Sequence, residues 1–215
     1  MVSRIRQQRD GERRARTRRA VLEAAKAVFV LRGYHRTKVS DIVAEAGVGQ
    51  GTLYRSFENK RQVFETLFDE FMESLLDEFA EMSANLPTGV EEYRAASIGA
   101  ITRAARVVES SPELVRLFLR EGPAIDREFE QKLSDLFDRF ADLAQYHLER
   151  AIEGGFARPC ETRFVAQAVV GIALRHTDLY LNGRLGDASL DEVIPEAVDF
   201  AFWGFGPRAD TGRGQ

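Results

Sequence analysis

Apolar residues recur every three or four positions along most of this chain, which is the spacing of one face of an α-helix. Between Arg13 and Arg32 the recurring residues include Val21, Ala25 and Phe29, and Gly33 follows as a residue able to end a helix. Alternation with period two, which would predict strands, does not extend over a useful length. The pattern therefore predicts an all-α protein of about nine helices with no sheet.

Two short helices follow, with a glycine between them. Thr37 is predicted to cap the first helix, and Gly47 to make the turn. The second helix should run from about Gln50 to Ser56, with Leu53 and Phe57 as its buried contacts. A short helix, a glycine turn and a second short helix form the arrangement that places side chains in the DNA major groove. This region is therefore the first candidate for function.

Longer helices make up the rest of the chain. Asn59 and Gln62 have the spacing of a capping box, which predicts that the longest helix opens there and carries an apolar stripe from Phe64 to Met82. Glycine and proline pairs separate the helices that follow. Pro195 should kink the last helix or mark its true start, and that helix is expected to end near Gly204.

Charge is distributed unevenly along the chain. The net charge of −4 combines +8 over residues 1–60 with −12 over residues 61–215. A basic head on an acidic body should bind polyanions at the head alone, because the body repels phosphate. The arginine-rich leader up to about Gly11 is expected to be a solvated, disordered tail.

Composition favours an ordinary globular protein of the cytoplasm. Hydrophobic residues make up 44% and charged residues 30% of the 215 residues. The longest apolar runs, such as Ala168–Leu174, are shorter than the roughly 18 residues that a membrane span requires. The basic N-terminus lacks the apolar core of a secretory signal. A cytoplasmic location with no membrane partner is therefore expected.

Residues for catalysis or metal binding do not form a recognisable motif. Cys160 is the single cysteine, and His35, His147 and His176 are scattered along the chain. No glycine elbow, phosphate loop or HExxH motif accompanies them. The sequence therefore predicts no enzyme activity, no metal site and no cofactor.

Side chains suited to DNA lie in and around the two short helices. Gln50 can pair bidentately with adenine, the Thr52 hydroxyl can donate or accept, and Arg55 can bind guanine or a phosphate. Lys38 and Lys60 stand at helix N-termini, where backbone N–H groups already favour an anion. The predicted DNA-binding residues, of which Tyr54 could instead be a core residue, are Thr37, Lys38, Ser40, Gln50, Gly51, Thr52, Tyr54, Arg55 and Lys60.

A dense set of motif residues runs from about Arg13 to Phe68. They are Ala24-Ala25, Phe29, Gly33-Tyr34, Thr37, Ile42, Ala46-Gly47-Val48, Gly51-Thr52-Leu53-Tyr54, Phe57 and Lys60. In this combination the segment resembles the TetR family of bacterial transcriptional regulators. Gly49, Gln50 and Ser56 depart from the family pattern, in which a serine-like cap, a lysine and an aromatic residue or histidine are common. Gly49 is expected to weaken the helix cap slightly and Gln50 to remove a phosphate contact. Ser56 is expected to shift more of the backbone binding onto Tyr54 and Lys60.

The resemblance implies a DNA-binding domain over residues 1–58 and a helical ligand-binding and dimerisation domain over residues 59–215. In such a body the last two helices pair with those of a second subunit as a four-helix bundle. Small residues in the penultimate helix and apolar residues in the last helix suit this packing. The predicted interface residues are Ala168, Gly171, Ile172, Val198, Phe202 and Phe205.

Phenylalanine is abundant, at 15 residues against 5 tyrosines and 1 tryptophan. Several lie in helices that wall the ligand cavity in the TetR family, which favours a flat aromatic or lipid-like ligand if a pocket forms. The same helical spacing is also typical of core residues. The candidate pocket residues are Phe68, Phe71, Phe118, Phe137, Phe140, Tyr146 and His147.

Together these observations predict a homodimeric regulator that binds a pseudo-palindromic operator in double-stranded DNA, in the simplest case a repressor released by an apolar or aromatic small molecule. Two alternatives stay open at this stage. One is a helical ligand carrier or scaffold whose basic head binds an anionic membrane surface, which requires exposed apolar residues opposite the arginines. The other is a TetR-like activator without a ligand.

Overall fold

The structure, a computed structural model, describes residues 2–186 and 188–203, so Phe205 and the helix end predicted near Gly204 lie outside the described residues. Within these ranges the chain forms ten α-helices, one 3-10 turn and no strand, which confirms the all-α prediction. The α-helices are α1 (Val2–Arg32), α2 (Val39–Glu45), α3 (Gln50–Leu53), α4 (Lys60–Asp77), α5 (Ala80–Ala84), α6 (Val90–Ser110), α7 (Pro112–Glu121), α8 (Arg127–Glu153), α9 (Thr162–Leu181) and α10 (Leu190–Trp203). None of these described helices has the length and apolar character needed to cross a membrane.

The helices form two compact units. The N-terminal unit consists of Met1–Glu73 and Ser111–Ser134, and the C-terminal unit consists of Ser74–Ser110 and Asp135–Gln215. The N-terminal unit thus contains α1, α2, α3, α7 and the first parts of α4 and α8. The domain boundary expected after residue 58 stays a prediction.

Aromatic rings form the core of the N-terminal unit. Phe64 of α4 is fully buried, and four ring centroids lie 5.0–5.3 Å from its own. The four rings belong to Phe29, Tyr34, Phe118 and Phe129. They come from α1, the turn after it, α7 and α8, so one cluster holds these helices together. Gly122 permits the close approach of α7 and α8, since a Cβ there would lie 2.9 Å from the Phe129 ring.

Helix α1 is longer than predicted. It begins at Val2, whereas the apolar periodicity placed its start at Arg13 and left the leader as a disordered tail. Arginine and glutamine are good helix formers, and they dominate this leader. Gly11 lies within the helix and is exposed.

The long helix predicted from Asn59 to Met82 is two helices. Helix α4 ends at Asp77, and α5 begins at Ala80. Arg103 of α6 explains the break, because its guanidinium donates to the backbone carbonyl of Glu78 (2.9 Å) and pairs with the Glu78 carboxylate (3.2 Å). Because the Arg103 side chain donates to this carbonyl, the carbonyl does not need a hydrogen bond from the next turn of its own helix, and the helix can break there.

Helices α6 and α10 pack together in the C-terminal unit. Arg94 pairs with Asp199, and Arg106 with Asp191 at 2.8 Å. Pro195 lies inside α10, after the start at Leu190, so it does not mark the beginning of this helix as one interpretation of the sequence held.

Candidate nucleic-acid interface

Helices α2 and α3 meet through a tight turn at Gly47. The φ of Gly47 is +64°, in the left-handed region that favours glycine. The N–H of Val48 donates to the Val43 carbonyl (3.0 Å) and closes the turn. Ile42 and Leu53 are fully buried, so the inner faces of both helices are fixed by packing. The outer face of α3 is thereby left to solvent.

The start of α3 is slim and open. Gln50 and Gly51 are exposed, and Thr52 is half-buried. Gly49 is the N-cap residue, and no side chain in the described part of the chain caps α3, in line with the weak cap predicted there. A Cβ at Gly49 or Gly51 would meet no atom of the described chain within 4 Å, so internal packing does not require either glycine. Such a helix end can enter a groove about 12 Å wide.

Arg55 and Tyr54 extend this surface beyond α3. The Arg55 Nη2 donates to the Thr52 hydroxyl (2.8 Å), which holds the guanidinium beside the hydroxyl. Tyr54 is 53% exposed and is therefore a surface residue, which resolves the choice that the sequence left open. Amide, hydroxyl and guanidinium groups thus come together on one short exposed segment.

Thr37 faces the interior. Its side chain is 2% exposed, and its hydroxyl donates to the Gly33 carbonyl (2.7 Å). The prediction that Thr37 caps α2 is wrong, because the N-cap residue is Lys38. The N–H of Lys38 donates to the Asp41 carboxylate (2.8 Å), and this bond lowers the pKa of Asp41. Lys38 and Ser40 are exposed, as a phosphate contact would require.

Lys60 holds the turn between α1 and α2. Its ammonium donates to the carbonyl oxygens of Tyr34 (2.7 Å) and Thr37 (2.8 Å) and lies 4.2 Å from the centroid of the Tyr34 ring. Burial lowers the pKa of Lys60. From α7, Glu121 accepts the N–H of Tyr34 (2.7 Å). We call these contacts of Lys60 and Glu121 with Tyr34 and Thr37 the turn clamp. A phosphate contact by Lys60, predicted from its place at a helix N-terminus, would use the one remaining N–H.

Two positioning residues were missed by the sequence interpretation. Glu121 lies 87 positions from its partner Tyr34, so no local pattern indicates the pair. The Arg18 guanidinium lies 4.4 Å from the centroid of the Phe57 ring and donates to the Ser56 carbonyl (3.4 Å), which supports the segment after α3. The excess of arginine in the head was the available signal for Arg18.

The basic surface of α1 is a further candidate for phosphate binding. Four arginines between residues 13 and 19 of α1 are exposed, and none of them is among the predicted DNA-binding residues. They are Arg13, Arg14, Arg16 and Arg19. The apolar residues Val21, Ala25 and Phe29 are fully buried within the chain. They are therefore not available to insert into a membrane surface, which removes the support for that alternative.

Replacing Lys60 by alanine should destabilise the N-terminal unit and weaken binding to all DNA sequences alike. Two partly buried carbonyls would lose their donor, at a cost of about 1–3 kcal/mol each. If the clamp is the whole role of Lys60, the slope of log affinity against log salt concentration should stay unchanged. If Lys60 also contacts a phosphate, the magnitude of that slope should be smaller by about 1 in the variant. Urea unfolding and DNA titration at several salt concentrations measure both quantities.

Lys38→Ala is the matched control, because Lys38 is exposed at the neighbouring helix start. In this variant the slope of log affinity against log salt concentration should decrease in magnitude. The free energy of unfolding should stay within about 0.5 kcal/mol of that of the unaltered protein. An unaltered unfolding free energy in Lys60→Ala would contradict the turn clamp.

The predicted pocket residues belong to both compact units. In the N-terminal unit, Phe68 and Phe118 are buried with their ring centroids 5.2 Å apart, and Phe71 is buried beside Phe118 at 6.0 Å. These rings are covered by other rings and are core residues. In the C-terminal unit, Phe137 and Phe140 are half-buried.

The other two pocket candidates differ in burial. Tyr146 is 43% exposed, whereas His147 is 4% exposed, with its Nε2 3.1 Å from the Ser83 hydroxyl oxygen. Within the described residues, no group of three or more His, Cys, Asp or Glu side chains is placed to hold a metal ion.

Two of the predicted interface residues face their own chain. Val198 is 4% exposed, and the Phe202 ring lies 5.1 Å from that of Tyr93 in α6. Helix α6 therefore covers part of the α10 face that was predicted to contact a second subunit. Placing the buried Val198 at a subunit interface is corrected on this ground, whereas the half-buried Phe202 stays a predicted interface residue.

Other apolar groups on α9 and α10 are exposed. Phe164 is 71%, Phe200 47% and Trp203 38% exposed. Ala168 and Gly171 of α9, both predicted for the interface, are also exposed. A groove of about 290 Å³ lies between α9 and α10, lined by Ile172, His176, Val193, Glu196, Ala197 and Phe200.

Comparison with known proteins identifies the N-terminal segment. The sequence model of the family described as "Bacterial regulatory proteins, tetR family" matches residues 21–67. This range holds most of the apolar part of α1, all of α2 and α3, and the first half of α4.

Relatives and solved structures match most of the chain. The fatty acid metabolism regulator protein of Bacillus subtilis is 24% identical over 152 residues, covering 70% of this chain and 76% of that protein. The fatty acid degradation regulator FadR of Bacillus halodurans has a TM-score of 0.74 at 21% identity, covering 88% of this chain and 96% of that chain. FadR of Bacillus subtilis in complex with stearoyl-CoA has a TM-score of 0.72 at 21% identity, covering 87% and 98%. The family match identifies residues 21–67 as the N-terminal segment of a TetR-family transcriptional regulator, and the fold of the chain is similar to that of solved TetR-family regulators.

Proposed function

We propose that the protein is a homodimeric repressor that binds a pseudo-palindromic operator in double-stranded DNA and leaves it when an apolar small molecule binds. The exposed start of α3 carries the DNA-binding part of this proposal. There Gln50, Thr52 and Arg55 present base-reading groups on a helix whose inner face is packed. A protein that acts on DNA in a bacterium works in the cytoplasm.

The roles of the candidate residues divide according to burial. Gln50, Thr52 and Arg55 face the bases, and Gly51 allows the DNA backbone to come close. The exposed side chains of Lys38, Ser40 and Tyr54 bind the backbone, together with the exposed arginines of α1. Thr37 and Lys60 act through their own hydrogen bonds, which hold the turn that positions α2.

The effector is an apolar molecule of lipid-like character. Support comes from the relatives, since the Bacillus subtilis regulator is named for fatty acid metabolism and the similar FadR structure holds stearoyl-CoA. The effector would favour a conformation of the body in which the two heads no longer match successive major grooves, about 34–36 Å apart. A ligand shifts this equilibrium only by its difference in affinity for the two conformations.

Selection of bound fragments from the source genome, followed by titration of the best fragment, tests the proposal. If about 6–10 phosphates are contacted, affinity should fall about 10³- to 10⁵-fold between 50 and 200 mM salt. Gln50→Ala and Arg55→Ala should each relax base preference or cost about 1–3 kcal/mol per base pair read. Arg139→Ala, which removes an exposed arginine of α8, is the matched control and should leave affinity unchanged.

A flat salt response, or equal losses in Arg55→Ala and Arg139→Ala, would contradict DNA reading by α3. Stearoyl-CoA added at saturation should lower operator affinity at least about tenfold, equivalent to a coupling free energy of about 1.4 kcal/mol. An unchanged affinity would remove a stearoyl-CoA-like effector from the proposal, and a raised affinity would indicate an activator.

A further inference from the structure

We propose that His147 Nδ1 accepts a hydrogen bond from a neutral donor, a hydroxyl or amide N–H, on the apolar effector. The effector site then lies beside the pair formed by Ser83 of α5 and His147 of α8. This inference rests on the proposed function in one respect, namely that the body binds an apolar small molecule.

His147 has one ring nitrogen with a partner and one without. The side chain is 4% exposed, and its Nε2 lies 3.1 Å from the Ser83 hydroxyl oxygen. Its Nδ1 is buried and has no hydrogen-bond partner among the described residues. Buried polar side-chain atoms in folded proteins almost always have a partner, so a buried nitrogen without one points to a ligand group.

The contacts of Ser83 determine which ring nitrogen carries the hydrogen. A serine hydroxyl has a single hydrogen, and that of Ser83 donates to the Phe79 carbonyl (3.2 Å). The Ser83 oxygen therefore accepts the hydrogen of His147 Nε2. Nδ1 is left with a lone pair, so it can accept a hydrogen bond but cannot donate one. Burial lowers the pKa of His147, which favours the neutral imidazole.

The surroundings of the pair are small and apolar. Ala144 and Ala151 lie one turn before and one turn after His147 on the same face of α8, so the side chains that flank the imidazole along this helix are small and apolar. Phe140, two turns before His147, has its ring 6.1 Å from that of Phe79. One acceptor in an apolar wall selects a ligand with one neutral donor. A carboxylate or phosphate oxygen that is ionised has no hydrogen to donate, so the lone pair of His147 Nδ1 would repel it.

Two probes that differ by one hydrogen-bond donor test the proposal directly. Calorimetric titration of the full chain should give an affinity about tenfold higher for 1-dodecanol than for dodecyl methyl ether, which has the chain but no donor. His147→Leu should abolish this preference. His147→Asn should retain part of it, because the amide oxygen can occupy a position close to that of Nδ1.

Nitrogen-15 NMR of the unaltered protein provides a readout that does not depend on how the variants fold. Nε2 should carry the hydrogen, and the Nδ1 resonance should shift when 1-dodecanol is added but not when the ether is added. Equal affinities for the probes, no binding of either, or a hydrogen on Nδ1 would overturn the proposal.

Operator affinity measured on the same samples separates this inference from the proposed function. If the chain binds its operator in a salt-dependent manner and does not prefer the alcohol, only the role of His147 fails. If it prefers the alcohol through His147 and does not bind DNA, the proposed function fails and this site stands.

Discussion

Replacing Phe64 by alanine is expected to lower the free energy of unfolding of the N-terminal unit by about 3–5 kcal/mol. Phe64 is fully buried, and its ring contacts rings from α1, the α1–α2 turn, α7 and α8. Truncation removes the transfer free energy of a whole ring and leaves a cavity that four rigid neighbours cannot fill. Because proteins of this kind are stable by only about 5–15 kcal/mol, a large share of the total would be lost.

Urea unfolding followed by circular dichroism measures this loss. Leu31→Ala, in the same unit, is the matched control, because Leu31 is 78% exposed and its truncation should cost less than about 0.5 kcal/mol. Apparent operator affinity should scale with the folded fraction of Phe64→Ala. A loss of stability below about 1 kcal/mol would mean that the aromatic cluster is not the core that joins these helices.

The helix-turn-helix could be predicted from the sequence because its determinants are close together along the chain. Ile42, Gly47 and Leu53 lie within twelve positions, and each acts through helical periodicity or backbone conformation. The fold class follows from the same periodicity, which extends over most of the chain. The exposure of Gln50 at the start of α3 agrees with the interpretation of that residue as a base reader, which stays a prediction.

Contacts between distant residues explain what the sequence did not indicate. The break after α4 depends on Arg103, and the support of the α1–α2 turn depends on Glu121. In both cases the partner lies in a later helix, so no local spacing signals it. Val198 was assigned to the wrong surface for the same reason, since helical periodicity identifies an apolar face but not the element that covers it.

Gly171 supports close contact between two subunits through α9. It lies inside α9 and is exposed, and a Cβ there would meet no atom of the described residues within 4 Å. A glycine inside a helix costs about 1 kcal/mol relative to alanine, and packing within the chain does not offset this cost. The approach of a second backbone would account for it. The exposed rings of Phe164 and Phe200 provide apolar area in the same pair of helices.

Ala168→Glu is therefore expected to raise the dissociation constant of the dimer by at least about a hundredfold. Ala168 is exposed on α9, close to Gly171 in sequence. In a two-fold symmetric interface the substitution places two carboxylates where neither has a cation, and an uncompensated buried charge costs about 3–5 kcal/mol. A hundredfold change corresponds to about 2.7 kcal/mol, so the expected effect exceeds it. Operator affinity should fall towards that for a half-site, because each head would then bind independently.

Ala80→Glu is the matched control, since it makes the same change at an exposed alanine in the first turn of α5, where a carboxylate is favourable. Sedimentation equilibrium across a range of concentrations measures the dissociation constant, and titration of whole and half operators measures the effect on DNA binding. The α9 interface would be rejected if Ala168→Glu remained as dimeric as Ala80→Glu. A monomeric Ala168→Glu that retained its circular dichroism spectrum and its half-site affinity would assign the loss to the subunit contact, because the head itself would still fold and bind.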